Sequence, residues 1–312
     1  MKAFFKKTVE KILGAPPQAP NASSQAPTKP SSSEDIAATA PLSMEIVADL
    51  ERQVYPPQMI VGCGHSAGLQ RDHNEDALFV LNTSMISDST SIPFGLFIVA
   101  DGMGGHQHGE VASGVSIRAM ASYLLRKLFL PMYSLSPEPP EESLHELLQE
   151  GIYEAHTAIL KAAAGGGTTI TAALIFSNQL ILSHVGDSRA YAIYPDKRTQ
   201  VITRDHSLVK RLEELGQITS AEAAVHPQRN VLYRALGQGE PFEPDVTTFP
   251  IPKGGFLMLC SDGLWGVVPE NVLVDTVIST ASPTEACKKL VDAANKAGGP
   301  DNISVILVRM PD

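Results

Sequence analysis

A series of short apolar runs, cut off by Gly, Pro, Asn or Asp, most constrains how this chain can fold. They read MIVGC at 59–63, ALFVLN at 77–82, FGLFIVA at 94–100, TTITAALIF at 168–176, LILSHV at 180–185, AYAIY at 190–194, FLMLC at 256–260 and ISVILV at 303–308. Runs of this length, rich in β-branched and aromatic residues, predict strands. The short links at 177–179 and 186–189 predict antiparallel neighbours, because a parallel crossover needs a dozen or more residues. Apolar residues at helical spacing predict helices at 109–129, 143–163, 206–216, 269–280 and 283–297. In the second of these, Leu144, Leu147, Leu148, Ile152, Ala155 and Ile159 share one face. The last opens on Ser282-Pro283-Thr284-Glu285, which reads as a capping box with Pro at the first helical position. Helices fall between groups of strands rather than after each strand. The expected class is therefore α+β, an antiparallel sheet core with helices packed outside.

The ends of the chain are of a different character. Residues 14–57 begin with a stretch dominated by Pro, Ser and Ala, which cannot bury enough surface to offset its ordering entropy and reads as a disordered linker. The fold is expected to start near Pro57, giving one domain over 58–312. Ahead of the linker, residues 1–13 place Phe5, Val9 and Ile12 along one side of a short basic helix. That pattern suits weak docking to an anionic membrane or a partner, or else a frayed, solvated tail. No apolar run approaches the roughly 20 residues of a membrane span, and no apolar core follows the basic start as in a signal peptide. Cys63, Cys260 and Cys287 are odd in number and lack a C-x-x-C spacing, as expected of core thiols in a reducing compartment. The expected location is cytoplasmic, with residues 1–13 as the only candidate for peripheral membrane contact. A net charge of −10 argues against nucleic acid as a ligand.

Residues 62–76, GCGHSAGLQRDHNED, admit two chemistries. Gly64-His65-Ser66-Ala67-Gly68 fits the G-x-S-x-G elbow of a serine hydrolase. That motif requires a helix after the Ser and a parallel sheet around it. Here another strand follows, and only one precedes. The alternative lies in Asn74-Glu75-Asp76. Asp76 immediately precedes a predicted strand, and Asp101 immediately follows one. Asp187 and Asp262 each stand two residues past a strand, and Asp301 two before one. Turns alone explain any one Asp-Gly pair, but five acids at strand ends explain a site better. Carboxylates with few His or Cys select hard cations, Mg²⁺ or Mn²⁺. His106 and His108 suggest zinc, but no third nitrogen or sulfur ligand stands at a useful spacing; a backbone partner in the Gly-rich turn suits His106 better. Arg71 presents a planar fork suited to phosphate, or forms a surface salt bridge.

Several motifs occur in order: Arg71-x-x-Asn74-Glu75-Asp76, Val99-Ala100-Asp101-Gly102-Met103-Gly104-Gly105-His106, Gly165-Gly166-Gly167-Thr168-Thr169, Gly186-Asp187-Ser188-Arg189, Thr203-Arg204-Asp205-His206-Ser207, His226-Pro227-x-Arg229-Asn230, Ser261-Asp262-Gly263-Leu264-Trp265 and Asp301-Asn302-Ile303-Ser304. Together they resemble the metal-dependent protein phosphatases, the PPM or protein phosphatase 2C family, in its bacterial form. The resemblance spans about residues 60–310. It implies a sandwich of two antiparallel sheets flanked by helices. It also implies that Asp76, Asp101, Asp262 and Asp301, with the carbonyl of Gly102, hold two Mn²⁺ or Mg²⁺ ions, Asp101 bridging them. Asp187, shared with Asp262, matches a looser third position. Glu75 is implied to orient water and Arg71 to bind phosphate. A flap within 205–240 is expected to hold one helix and then irregular chain. Met103 stands where some members carry a His proposed as general acid, and Gly266 where some carry an acid.

The implied reaction is hydrolysis of phosphoserine and phosphothreonine in proteins, by water bridging two cations that lower its pKa. Phosphorylated proteins are then the partners, with a serine/threonine kinase as counterpart. A non-catalytic phosphoprotein-binding module, a metal phosphodiesterase and a hydrolase using Ser66 are the competing readings.

Overall fold

The structure is a computed structural model that describes residues 58–311 except 88–89, 105–106, 138 and 240–242. Contacts divide the chain into Met1–Pro57 and Gln58–Asp312. The expectations for residues 1–57 and for His106 lie outside the described residues.

Two five-stranded antiparallel sheets form the centre. The first runs in the order β1 (Ile60–Ser66), β12 (Ile303–Arg309), β11 (Phe256–Cys260), β8 (Arg189–Ile193), β9 (Thr199–Val201). The second runs β10 (Asp245–Phe249), β7 (Gln179–Val185), β6 (Ile170–Phe176), β3 (Thr90–Ala100), β2 (Ala77–Ser87). A two-stranded ribbon pairs β4 (Gly102–Met103) with β5 (Gly167–Thr168).

The strands read as unbroken apolar runs because they are covered on both faces. Along β11, Leu257 and Leu259 join Phe97, Val99, Ala173, Leu182, Ile306 and Val308 in the layer between the sheets. Their neighbours Met258 and Cys260 turn the other way, against helical Leu273, Val277, Cys287 and Leu290. Each large apolar side chain so buried contributes about 1.5–3 kcal/mol.

In chain order the helices are α1 (Gln107–Leu124), α2 (Leu144–Ala162), α3 (Leu208–Glu214), α4 (Ser220–Ala224), α5 (Asp262–Trp265), α6 (Glu270–Ser279) and α7 (Pro283–Lys296). A π-helical turn, Leu125–Phe129, and a last turn, Leu130–Met132, extend α1. Phe129 meets Phe94 of β3 edge to face, ring centres 4.9 Å apart. The expected sandwich flanked by helices is present. Among the described residues, no helix is long and apolar enough to cross a membrane.

Four expectations need correction. The 177–179 link does join antiparallel neighbours, β6 and β7, but the 186–189 link does not. It carries the chain from one sheet to the other, and Gly186, at φ 114°, permits the reversal. The segment 206–216 is not followed by irregular chain alone, since α4 succeeds α3 under its own capping box, Thr219 with Glu222. Helix α7 starts where expected, but the Ser282 side chain makes no capping bond. A complete box caps α2 instead, from Ser143 and Glu146. Finally, Cys260 and Cys287 are buried as expected of core thiols, but Cys63 is exposed.

Candidate metal centre

The acids hang from both sheets. Asp76 and Asp101 belong to the ends of β2 and β3 in one sheet; Asp262 and Asp301 flank β11 and β12 in the other. Asp187 sits on the crossing between them. Arg71, Glu75, Asp101, Gly102, Asp187, Asp262 and Asp301 line one cavity of about 450 Å³. Asp76 stands behind this lining, almost fully buried. Arg71, Glu75, Asp76, Asp101, Gly102, Asp187, Asp262 and Asp301 are thus brought to one mouth of the sandwich, and Ser66 is not.

Local hydrogen bonds hold each acid. Asp76 Oδ2 accepts from the Ser261 hydroxyl at 2.8 Å, and its backbone N–H donates to Asn74 Oδ1 at 2.9 Å. The Asp101 N–H donates to Thr169 Oγ1 at 3.0 Å, while its carbonyl accepts from Thr168 Oγ1 and from Thr169 N, both at 2.8 Å. Gly102 packs so closely that a Cβ would lie 2.3 Å from the Gly109 carbonyl and 2.5 Å from that of Glu75, so only glycine fits. Asp301 Oδ1 accepts from Asn302 N at 2.9 Å, and its Oδ2 takes the Arg71 Nη2 donor at 2.8 Å. Arg71 therefore forms the expected salt bridge and lines the pocket as well. Its side chain is 54% exposed, and the Asp301 bond holds its charge still more firmly.

Asp187 is pinned from three sides. Its carbonyl accepts from Trp265 Nε1 at 3.0 Å. Before it, Gly186 donates to His206 Nδ1 at 3.1 Å and accepts from His206 N at 2.7 Å. After it, Ser188 shares a 2.8 Å bond with Thr169 Oγ1. His206 is 1% exposed and lies 3.2 Å from Asp245 Oδ2 and 3.4 Å from Arg234 Nη1. Beside it, burial and the His206 ring push His184 down to about 3, so it stays neutral.

Crowding these carboxyls away from water raises their proton affinity. Burial, then the charges of Asp262 and Asp301, push Asp76 up to about 7, although bonds from Ser304 and Ser261 oppose the rise. Burial and repulsion by Asp301 push Asp262 up to about 6. Asp101 rises well above the carboxylate range through burial and the charges of Asp76, Asp262, Asp187 and Asp301. Asp187 rises for the same reasons, chiefly burial and then Asp262. This mutual repulsion places the acids within one field even where no contact joins them.

Two observations test whether such a set fits cations. Asp76 Oδ1 and Asp262 Oδ1 are buried acceptors without a hydrogen-bond partner, an arrangement that costs free energy unless something positive meets them. The donors are carboxylates, which suit Mg²⁺ or Mn²⁺ rather than zinc. They fit. Among the described residues, no three His, Cys, Asp or Glu side chains already close on one ion-sized point. The acids are gathered, not caged.

Ser66 makes a different use of its hydroxyl. It ends the edge strand β1, and its Oγ accepts from Gly68 N at 3.1 Å and Asn295 Nδ2 at 3.3 Å. The chain then enters a loop toward β2, with no helix, so the elbow geometry is missing.

Several site residues were not singled out from sequence. Asn302 clamps the 67–76 loop, its Nδ2 donating to the carbonyls of Ala67 and His73 and its Oδ1 accepting from Glu75 N at 2.7 Å. Its place beside Asp301 in a motif was the available signal. His73 also lines the pocket, with Nε2 3.1 Å from Glu75 Oε1. Of the departures, Met103 lines the pocket and Gly266 caps α5.

Fold and site together define a class: a two-sheet sandwich whose mouth gathers acids for hard cations beside an arginine fit for phosphate. The family model described as protein phosphatase 2C matches residues 62–303. A serine/threonine phosphatase stp of Listeria innocua is 37% identical over 246 residues, covering 77% of this chain and 92% of its own. The crystal structure of the Mycobacterium tuberculosis serine/threonine phosphatase PstP/Ppp superimposes with a TM-score of 0.67 at 31% identity, covering 82% of this chain and all of that one. A structure of the catalytic domain of PstP in complex with two manganese ions gives a TM-score of 0.65 at 30% identity, with 82% of this chain and all of that one covered. The chain belongs to the protein phosphatase 2C family.

Proposed function

We propose that residues 58–312 are the catalytic domain of a protein phosphatase that hydrolyses phosphoserine and phosphothreonine. The observation that carries this reading is the convergence of five aspartates from both sheets on one pocket that Arg71 also lines.

Asp76, Asp101, Asp262 and Asp301, with the Gly102 carbonyl, would hold two Mn²⁺ or Mg²⁺ ions, and Asp187 with Asp262 a third. Bound there, the ions neutralise phosphate charge and lower the pKa of water into the range of a nucleophile. The chain's own groups do the rest. Arg71 can exchange its Asp301 bond for the phosphate oxygens with little movement, since the guanidinium is half-exposed. Glu75, held through its backbone by Asn302, orients water at the pocket wall. Leu232 and Asn230 bring the 205–240 flap to the rim, where it can select the peptide around the phosphate.

Phosphorylated proteins are the substrates, and a kinase acting on the same side chains is the counterpart. Residues 1–13 are the candidate docking element for a membrane or partner; pelleting with anionic vesicles, with and without them, tests that role. The function itself is tested by phosphate release from a phosphothreonyl peptide with Mn²⁺ and with EDTA. Release that requires the ion supports the reading. Peptide binding without release would point instead to a binding module, and cleavage of a diester probe to a phosphodiesterase.

A further inference from the structure

The reaction leaves one task unassigned. When the ester bond breaks, the electron pair departs on a seryl or threonyl oxygen, a strongly basic alkoxide that must take up a proton. Among the described residues lining the pocket, the titratable side chains are Arg71, His73 and the carboxylates Asp72, Glu75, Asp101, Asp187, Asp262 and Asp301. Arginine does not give up its proton. The buried acids are committed to cations. Among these described residues His73 is the one imidazole, a side-chain type that serves as general acid and base in catalysis.

Its setting suits that work. The ring is 38% exposed, so solvent can reload it. Glu75 Oε1 accepts from Nε2 at 3.1 Å, as a carboxylate orients a catalytic imidazole. Asn302 fixes both residues at once, accepting from Glu75 N at 2.7 Å and donating to the His73 carbonyl at 2.9 Å. The next residue, Asp301, holds Arg71 at 2.8 Å. The phosphate-binding arginine and the imidazole thus hang from one two-residue clamp, Asp301-Asn302. Met103 lines the same pocket with a thioether that carries no proton to give.

We propose that His73 is the general acid of the reaction, set in place by Glu75 and Asn302. This rests on the phosphatase reading above. Water oxygen bonds to phosphorus and gives up one proton to solvent, the ester P–O bond breaks, and its electron pair stays on the departing oxygen. That oxygen takes one proton from the His73 imidazolium, leaving a neutral ring and a free serine or threonine hydroxyl. The ring recovers its proton from water.

Leaving-group chemistry separates this role from a structural one. p-Nitrophenolate leaves without protonation, whereas a threonyl alkoxide does not. His73→Gln and His73→Ala should each lower kcat on a phosphothreonyl peptide by about 100-fold or more. The same variants should lose far less on p-nitrophenyl phosphate than on the peptide, and Mn²⁺ affinity read by calorimetry should stay near that of the wild type. Added imidazole should restore peptide turnover to His73→Ala. Equal losses on both substrates, or no loss on the peptide, would overturn the assignment. A wild-type protein that hydrolyses neither substrate with Mn²⁺ would remove the phosphatase reading itself.

Discussion

The Arg189 guanidinium carbon stands 3.5 Å from the centre of the Trp265 ring, while its nitrogens grip both oxygens of Asp205. Trp265 in turn donates to the Asp187 carbonyl. A sandwich of ring, guanidinium and carboxylate therefore buttresses the crossing between the sheets. Arg189→Lys keeps the charge but loses the flat fork. We expect it to weaken Asp205 and the Trp265 contact together and to lower Mn²⁺-dependent activity. Arg189→Met, which strands Asp205, should destabilise the fold by somewhat less than the roughly 3–5 kcal/mol of fully buried pairs, since a quarter of the Arg189 side chain meets water. Urea unfolding with EDTA present measures this apart from ion binding.

Removing the ions should silence the enzyme. EDTA is expected to abolish phosphate release, and Mn²⁺ or Mg²⁺ to restore it. Asp101→Ala and Asp262→Ala should each cost about 3 kcal/mol or more of transition-state stabilisation, the scale of losing a preorganised charge contact. Steady-state kinetics at saturating ion checks the figure, and near-normal turnover in either variant would mean the ligand assignment is wrong.

Proton linkage predicts a pH signature in EDTA. Folded Asp76 titrates at about 7 and Asp262 at about 6, against about 3.9 for a free aspartate. Between pH 4 and 7 the folded chain holds more protons than the unfolded one at these sites, so their contribution to stability falls as pH rises through that window. His184, held down to about 3, acts in the opposite sense, because the unfolded chain charges it below about 6.5. Comparing wild type with Asp262→Asn isolates the acids. The variant should be relatively more stable at pH 8 than at pH 5, and a thermal melt at each pH reads the difference.

Ser66→Ala should leave catalysis untouched. The hydroxyl serves Gly68 and Asn295, so the cost is about 1 kcal/mol of stability for the lost bonds. A collapse of turnover in this variant would restore the serine-nucleophile reading.

What could be read from sequence follows from what each signal depends on. Strands buried on both faces leave continuous apolar runs, so β6, β11 and β12 stand out in the chain. The acids were visible because each sits within two residues of such a run. Edge strand β10 was not, since its DVTTF pairs on one side only and is half-solvated. The short link at 186–189 misled because length alone cannot separate a hairpin from a change of sheet. The same four-residue signature promised a cap at Ser282 and delivered one at Ser143, because capping depends on a hydroxyl rotamer that sequence does not specify. His73 and Asn302 were hidden for a further reason. Their roles arise from a pairing across more than 200 positions, between a loop and the start of β12.

One pair of acids descends from each sheet, with Asp187 on the thread that joins them. The pocket is therefore a caliper laid across the sandwich. Its opening follows the thickness of the apolar layer, which includes small side chains such as Ala173 and Ala190. A bulkier residue at either place would pry the jaws apart without touching a ligand, and ion affinity would register the change. Core volume and cation affinity are in this fold a single adjustable dimension.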